Sequence, residues 1–334
     1  MPAAVWQQLP DEGDRLHAVA AGYYGSESIL PVSGSQAAIE SLPRLRAPGR
    51  VGILSPAYAE YGYQWQRHGH SVAALNAAEL EARLPQLDVV VVIRPNNPTA
   101  ECLSAPRLLR WLAVLRLHGG WLVVDEAFLD ASPDSGLLSL IGETPREGLI
   151  VLRSVGKFFG LAGIRLGFVW ASAALLEAIA ELQPVWSVSS VARWAGAIAL
   201  EDSQWQTQMR RRLGLESRRL EALLLSLPQL QLQLQSQLQS QQGSQPQQQP
   251  WRCASTPLFC TVSIGDGVGD GIDDAPPGTA AGIFRQLAER GVLIRYFEQS
   301  QPQPQPQLLR LGLPANEHAW QRLGAALSTL VVLS

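Results

Sequence analysis

Between about residues 30 and 170, short apolar runs alternate with amphipathic stretches. Val51–Leu54, Val89–Ile93, Trp121–Val124, Leu149–Leu152 and Leu166–Trp170 read as strands. The run Val89-Val90-Val91-Val92-Ile93 shows no alternation, so it is expected to be buried on both faces, as in a parallel sheet. Between the runs, Gln36–Leu45, Ala59–His68 and Pro106–Leu117 carry helical spacing. Strands and helices in alternation predict an α/β fold with a doubly wound, mostly parallel sheet. The ligand of such a sheet sits beyond the carboxyl ends of its strands.

After Ala171 the pattern turns helical, through Leu175–Leu182, Val191–Glu201 and a long stretch from Trp205 to Leu227 that reads as a connector. Beyond it, Leu258–Ile264, Val292–Tyr296 and Leu308–Leu311 read as strands, with helices at Ala280–Arg290 and Glu317–Leu330. The expected organisation is a large domain over residues 20–204 and a smaller α+β C-terminal domain over 205–334, to which residues 1–19 are also assigned. Three stretches break the pattern and read as solvated insertions: the Gln/Leu/Ser tract 229–250, the Pro-Gln repeat 301–307 and the Gly/Asp/Pro loop Gly265–Gly278.

Composition narrows the function. Nearly half of the 334 residues are apolar and the formal net charge is −3, which gives no footprint for nucleic acid or an anionic membrane. No apolar run is long enough to cross a bilayer, and the N-terminus lacks the basic and apolar stretches of a signal peptide. Cys102, Cys253 and Cys260 are odd in number and have no metal-ligand spacing, so buried free thiols in a reducing cytoplasm are expected. Lys157 is the only lysine; every other strong base is arginine. Coding bias accounts for the missing lysines but not for the one retained. Arginine keeps its proton and cannot act as an amine nucleophile, whereas lysine can.

Four segments carry chemistry. Val123-Val124-Asp125-Glu126-Ala127-Phe128 places a carboxylate at a strand end, where Asp125 either meets a protonated ring nitrogen or caps the next turn. Arg153-Ser154-Val155-Gly156-Lys157 runs on to Gly163-Ile164-Arg165-Leu166-Gly167, so Lys157 sits in a glycine-rich turn and is expected to be buried. It is flanked by a hydroxyl, Ser154, and a guanidinium, Arg165, suited to a phosphate dianion. In Val32-Ser33-Gly34-Ser35-Gln36, a turn opens a helix and offers free backbone N–H groups to an anion, or simply caps the helix at Ser35. In Arg94-Pro95-Asn96-Asn97-Pro98-Thr99, two prolines fix the backbone around Asn97, again at a strand end.

Taken in order, Gly-Ser-Gln, Pro-Asn-Asn-Pro-Thr, Asp-Glu-Ala-Phe, Ser-Val-Gly-Lys and Gly-Ile-Arg resemble the fold-type I pyridoxal 5'-phosphate (PLP) enzymes of the aminotransferase class I/II superfamily. The resemblance spans about residues 20 to 334. It implies a PLP Schiff base on Lys157, Asp125 at the pyridine nitrogen and Asn97 at the ring hydroxyl. It further implies a phosphate held by Ser35, Gln36, Ser154 and Arg165, with Tyr61 stacked on the ring or else half-buried in its helix. Arg310, in Leu309-Arg310-Leu311-Gly312, matches the arginine that takes the substrate α-carboxylate; the alternative is a surface arginine at a strand end. Arg295 is a candidate for a substrate phosphate or an exposed strand residue. A homodimer is implied by the resemblance alone.

Two branches compete, histidinol-phosphate aminotransferases and the threonine-phosphate decarboxylases of cobalamin biosynthesis. The wording Leu-Pro-Val-Ser-Gly-Ser-Gln-Ala-Ala-Ile and Phe-Phe-Gly-Leu-Ala-Gly-Ile-Arg-Leu-Gly-Phe is most similar to the decarboxylases. Phe128 stands where the aminotransferases usually carry a tyrosine. Such relatives also have an arm with His-Gly-Gly-like and Gly-Ile-Asn-Pro-like segments before the stretch that matches Trp6–Pro10; its absence from this sequence leads us to expect impaired substrate closure. That absence also keeps a non-catalytic PLP-fold protein in view. A transcription regulator would need a DNA-binding module ahead of residue 20, for which this sequence has no room.

Overall fold

The computed structural model describes residues 1–138, 146–227, 251–264, 275–297 and 307–330. The Gln-rich tract, most of the Pro-Gln repeat and Gly265–Asp274 of the Gly/Asp/Pro loop lie outside them. The elements in chain order are α1 (Ala4–Gln7), α2 (Leu16–Tyr24), β1 (Ile29–Val32), α3 (Ser35–Ser41), β2 (Arg50–Leu54), α4 (Ala59–Arg67), β3 (Ser71–Leu75) and α5 (Ala77–Arg83). There follow β4 (Val89–Ile93), α6 (Ala105–Arg116), β5 (Trp121–Asp125), β6 (Leu149–Ser154), β7 (Gly167–Trp170), α7 (Ala173–Glu181), α8 (Ser190–Glu201) and α9 (Ser203–Leu225). Last come β8 (Trp251–Thr256), β9 (Phe259–Ile264), α10 (Ala280–Glu289), β10 (Arg295–Phe297), β11 (Gln307–Gly312) and α11 (Glu317–Ser328).

Seven strands form one sheet in the order β1-β7-β6-β5-β4-β2-β3. Its five strands from β3 to β6 are parallel, and β7 runs antiparallel to both of its neighbours. Every residue of β4 is buried, as its unbroken run of β-branched side chains requires once helices cover both faces of a sheet. Val51, Val91, Val123, Ile150 and Val169 of five adjacent strands meet Ile39, Tyr61 and Trp65 of α3 and α4 in one apolar core. Local chemistry sets the element ends. Asn76 and Glu79 close a reciprocal capping box on α5, and Gly25 ends α2 with φ at +75°. The helix expected over Gln36–Leu45 gives way at Leu42 to a 3₁₀ turn, because Pro43 has no N–H to continue it.

Four more strands form an antiparallel sheet in the order β10-β11-β9-β8. Its core joins Val262, Ile264, Leu309 and Leu311 with Leu220, Leu224, Ile283, Leu287 and Trp320 from the helices. Arg219 binds Glu317 through two hydrogen bonds of 2.8 and 2.7 Å and lies over Trp320 at 4.4 Å. The strand expected at Val292–Tyr296 starts only at Arg295, since the Val292 N–H is taken by the Leu287 carbonyl at the end of α10.

The chain separates into two compact units, Met1–Asn97 with Glu101–Arg210, and Pro98–Ala100 with Arg211–Ser334. The boundary falls within α9. Residues 1–19, expected with the small domain, belong instead to the larger unit. They are held there by Arg193 of α8, which grips Asp14 with bonds of 2.8 and 2.7 Å. Of the cysteines, Cys260 is buried, Cys253 is half-buried, and Cys102 is exposed, against expectation. Cys102 sits in the irregular stretch ahead of α6, outside the core. Among the described residues, no helix is long and apolar enough to cross a membrane.

Ile150, at the middle of the sheet with no solvent exposure, tests this packing. Ile150→Ala should cost about 2–5 kcal/mol, read as a shift in the chemical denaturation midpoint.

Candidate active site

At the carboxyl ends of β4, β5 and β6 lies a cavity of about 230 Å³. Ser35, Gln36, Asn97, Asp125, Ser154, Lys157 and Arg165 all line it, so residues 130 positions apart in sequence share one pocket. Ile93, Tyr58 and Phe128 supply apolar and aromatic walls.

Several groups of the kind that bind anions gather at this cavity. Gly34 takes φ +73°, which a side chain would strain, and α3 opens immediately after it. The first turn bond of α3 runs from Ala37 N–H to the Gly34 carbonyl at 3.1 Å, so the N–H groups of Ser35 and Gln36 precede it. A Cβ on Gly34 would lie 2.7 Å from Nη2 of Arg165, and one on Gly167 would lie 2.6 Å from the Ser35 nitrogen. Glycine at both positions therefore lets the guanidinium and the helix start close on the same space. Arg165 itself has φ +54°, and its Nη1 donates to the Ala162 carbonyl at 3.2 Å. Ser154 Oγ accepts from Gly156 N–H at 3.2 Å, which leaves its proton available to an anion. Gln36 is less committed to the cavity, because its amide donates to Glu40 at 3.0 Å.

Asp125, which also lines the cavity, is buried. Its Oδ2 accepts from the Tyr61 hydroxyl at 2.9 Å and its Oδ1 from Ala127 N–H at 2.9 Å. Burial raises its pKa above the ordinary value; the Ala127 and Tyr61 bonds and the Lys157 charge oppose that rise. Asp125 thus lines the pocket and also closes the local turn.

Tyr61 is fully buried, where a half-buried position was the alternative to stacking on the ring, and burial next to Asp125 drives its phenol pKa well upward; it is not among the residues that line the cavity. Tyr58, three residues earlier and exposed, lines the cavity instead. Tyr58 stands at the turn between the β2 end and α4, whereas Tyr61 is one helical turn inside, on the face that packs on the sheet. That difference of phase was available in the sequence, since the cavity side of a strand end precedes the helix that follows. Lys157 also departs from expectation, for it is exposed at the pocket wall. Its turn lies past the end of β6, outside the packed layers. Its Nζ sits over the Phe128 ring, 5.1 Å from the centroid.

Arg295 and Arg310 belong to the second unit, where they are directly paired across β10 and β11. Both guanidinium groups lie over Phe297, at 5.8 and 5.6 Å, and Arg310 also lies over Phe259. Partial burial and the neighbouring Arg295 lower the Arg310 pKa.

Residues 14–319 match the family described as aminotransferase class I and II. The chain belongs to that family. A threonine-phosphate decarboxylase from Pseudomonas aeruginosa is 43% identical over 328 residues, which is 98% of this chain and 86% of that protein. Among solved structures, the family fold recurs in histidinol-phosphate aminotransferase from Sinorhizobium meliloti, in complex with pyridoxal-5'-phosphate. The TM-score is 0.76 at 18% identity, covering 98% of this chain and 86% of that one. L-Threonine-O-3-phosphate decarboxylase from Porphyromonas gingivalis gives a TM-score of 0.70 at 18% identity, covering 98% and 94%. At these identities the two structures establish the fold, which is that of the fold-type I PLP enzymes.

The Tyr61 phenol matters most when Asp125 is ionised. Tyr61→Phe should cost about 1.5–3 kcal/mol at neutral pH. It should also raise the Asp125 pKa further, so the deficit shrinks as pH falls and the carboxyl protonates in both proteins. Denaturation midpoints of the two proteins across the acid range check both parts.

Proposed function

We propose that the protein is a PLP-dependent carboxy-lyase that converts L-threonine O-3-phosphate to (R)-1-amino-2-propanol phosphate and carbon dioxide, a step of cobalamin biosynthesis. The observation that carries the reading is the 43% identity to a threonine-phosphate decarboxylase, sustained along 98% of the chain.

The pocket fits the cofactor on its own chemistry. Gly34 and Gly167 let Arg165 and the start of α3 approach closely, and Ser35, Gln36, Ser154 and Arg165 line the cavity together, a set of donors that suits a phosphate dianion. Asp125 would face a protonated pyridine nitrogen and needs such a partner, because burial disfavours its charge. Asn97 would face the ring hydroxyl, Tyr58 and Phe128 would flank the ring, and the Lys157 amine would hold it. When bound, PLP supplies the electron sink for the pair left at Cα as the carboxylate departs.

The chain's own residues account for the rest. Arg310 and Arg295, side by side on one antiparallel pair, match a substrate bearing two anionic groups, a carboxylate and a phosphate. Lys157 is the amine at the pocket wall, suited to deliver the proton that replaces the carboxylate at Cα. Phe128, where aminotransferases of this superfamily usually carry a tyrosine, brings no hydroxyl to the ring oxygen, which favours the decarboxylase branch. The protein would act as a homodimer, which its membership of this family and its exposed Trp6, Leu9, Val185 and Trp186 support.

The deciding assay incubates the protein and PLP with L-threonine O-3-phosphate in one vessel. A second vessel holds histidinol phosphate and 2-oxoglutarate. Carbon dioxide in the first and no glutamate in the second is the expected result. Glutamate without carbon dioxide would move the protein to the aminotransferase branch.

A further inference from the structure

Three neighbouring strands end in a residue that lines the pocket: Ile93 of β4, Asp125 of β5 and Ser154 of β6. Each has a charged residue next to it in the chain, Arg94, Glu126 and Arg153. Successive side chains in a strand point to opposite faces, so these three turn away from the cavity. They meet beneath it. Arg94 Nη1 lies 2.8 Å from Glu126 Oε1, and Arg153 Nη2 lies 2.8 Å from Glu126 Oε2. Arg153 Nη1 also donates to Asp130 Oδ1 at 3.1 Å. None of the four side chains is more than 5% exposed. Leu137 N–H adds a bond of 3.0 Å to Glu126 Oε1, and the Arg153 guanidinium lies 5.3 Å from the Tyr24 ring centroid.

Two positive and two negative charges are balanced there, but a buried ion network is weak evidence for stability, since apolar replacements often fold as well. What this network does is hold Arg153 between two carboxylates, in one geometry, directly before Ser154. We propose that Asp130, acting through Arg153, is a positioning residue for the phosphate end of the PLP pocket. The inference rests on the cofactor reading above.

Asp130 is the adjustable member. Its Oδ2 makes no hydrogen bond among the described residues. The groups that face it are Arg153 from β6, Glu126 from the end of β5, Arg210 from α9, and Tyr23 and Tyr24 from α2. Arg210 holds the Asp130 carbonyl at 3.0 Å and the Tyr23 hydroxyl at 2.9 Å. Burial pushes the Asp130 carboxyl up to about 6, with Arg153 and Arg210 opposing and Glu126 reinforcing. Because the folded value lies above the unfolded one, ionised Asp130 costs stability, and the cost appears as pH rises through that interval. The neutral amide of Asp130→Asn should therefore fold at least as stably as wild type at pH 7.5, while removing the charge that fixes Arg153.

The test measures dissociation of PLP, and of pyridoxal, which lacks the phosphate, from wild type and Asp130→Asn by equilibrium dialysis of the loaded proteins. Melting temperatures are taken alongside. At pH 7.5 the variant should bind PLP about tenfold more weakly, the scale of one lost hydrogen bond to a charged group. Its pyridoxal affinity and melting temperature should not fall. At pH 5, where wild-type Asp130 is protonated, the two proteins should converge. Equal PLP affinities at pH 7.5, equal losses for PLP and pyridoxal, or a variant that melts earlier or fails to fold would each overturn the proposal. A wild type that retains no PLP would overturn the cofactor reading first, and this proposal with it.

Discussion

The pocket is organised around a carboxylate that the fold has taken out of water. Asp125 ends the central strand β5, and burial works against its charge. The Tyr61 hydroxyl and the Ala127 N–H answer that cost in part. Tyr61 can reach Asp125 only because α4 packs flat on the sheet through Tyr61 and Trp65. Thus the core that stabilises the larger unit also sets the electrostatics of the site. A cationic ring nitrogen against Asp125 would complete the compensation. That links the burial of one side chain to the choice of cofactor.

The phosphate end follows from backbone geometry more than from burial. Gly34 at positive φ and the close passage of Gly167 by Ser35 bring the start of α3 and Arg165 together at the cavity wall, which the Ser154 hydroxyl also lines. Anion-binding groups and a buried carboxylate therefore line one small cavity with the only lysine of the sequence at its wall, a combination that fits the cofactor proposed above.

Much of this was legible in the sequence, for identifiable reasons. The spacing Ser154–Lys157–Arg165 and the glycines around it are local, so their convergence needs only one turn. The uninterrupted apolar run of β4 announced a strand buried on both faces. What escaped was short or relational. Ser71–Leu75 has two alanines among its five residues and little apolar signal, yet forms the edge strand β3. Tyr58 and Tyr61 are the same residue type three positions apart, and only the helix start between them separates a pocket wall from a buried hydrogen-bond donor. Arg94, Glu126, Asp130 and Arg153 carry no hint in sequence that they share partners, because their ion pairs join residues 23 to 32 positions apart. Lys157 was expected to be buried because its neighbours are apolar. Phe158 and Phe159 do take the buried positions, and the lysine is turned outward.

The central claim is that Lys157 holds PLP in this pocket, and the composition makes it unusually open to test. With a single lysine in the sequence, the only other primary amine is the N-terminus. Reductive trapping of the PLP-loaded protein with borohydride, followed by peptide mass spectrometry, should place the pyridoxyl mass on the peptide containing Lys157, in about one copy per chain. A label on the N-terminal peptide, or none at all, would contradict the account.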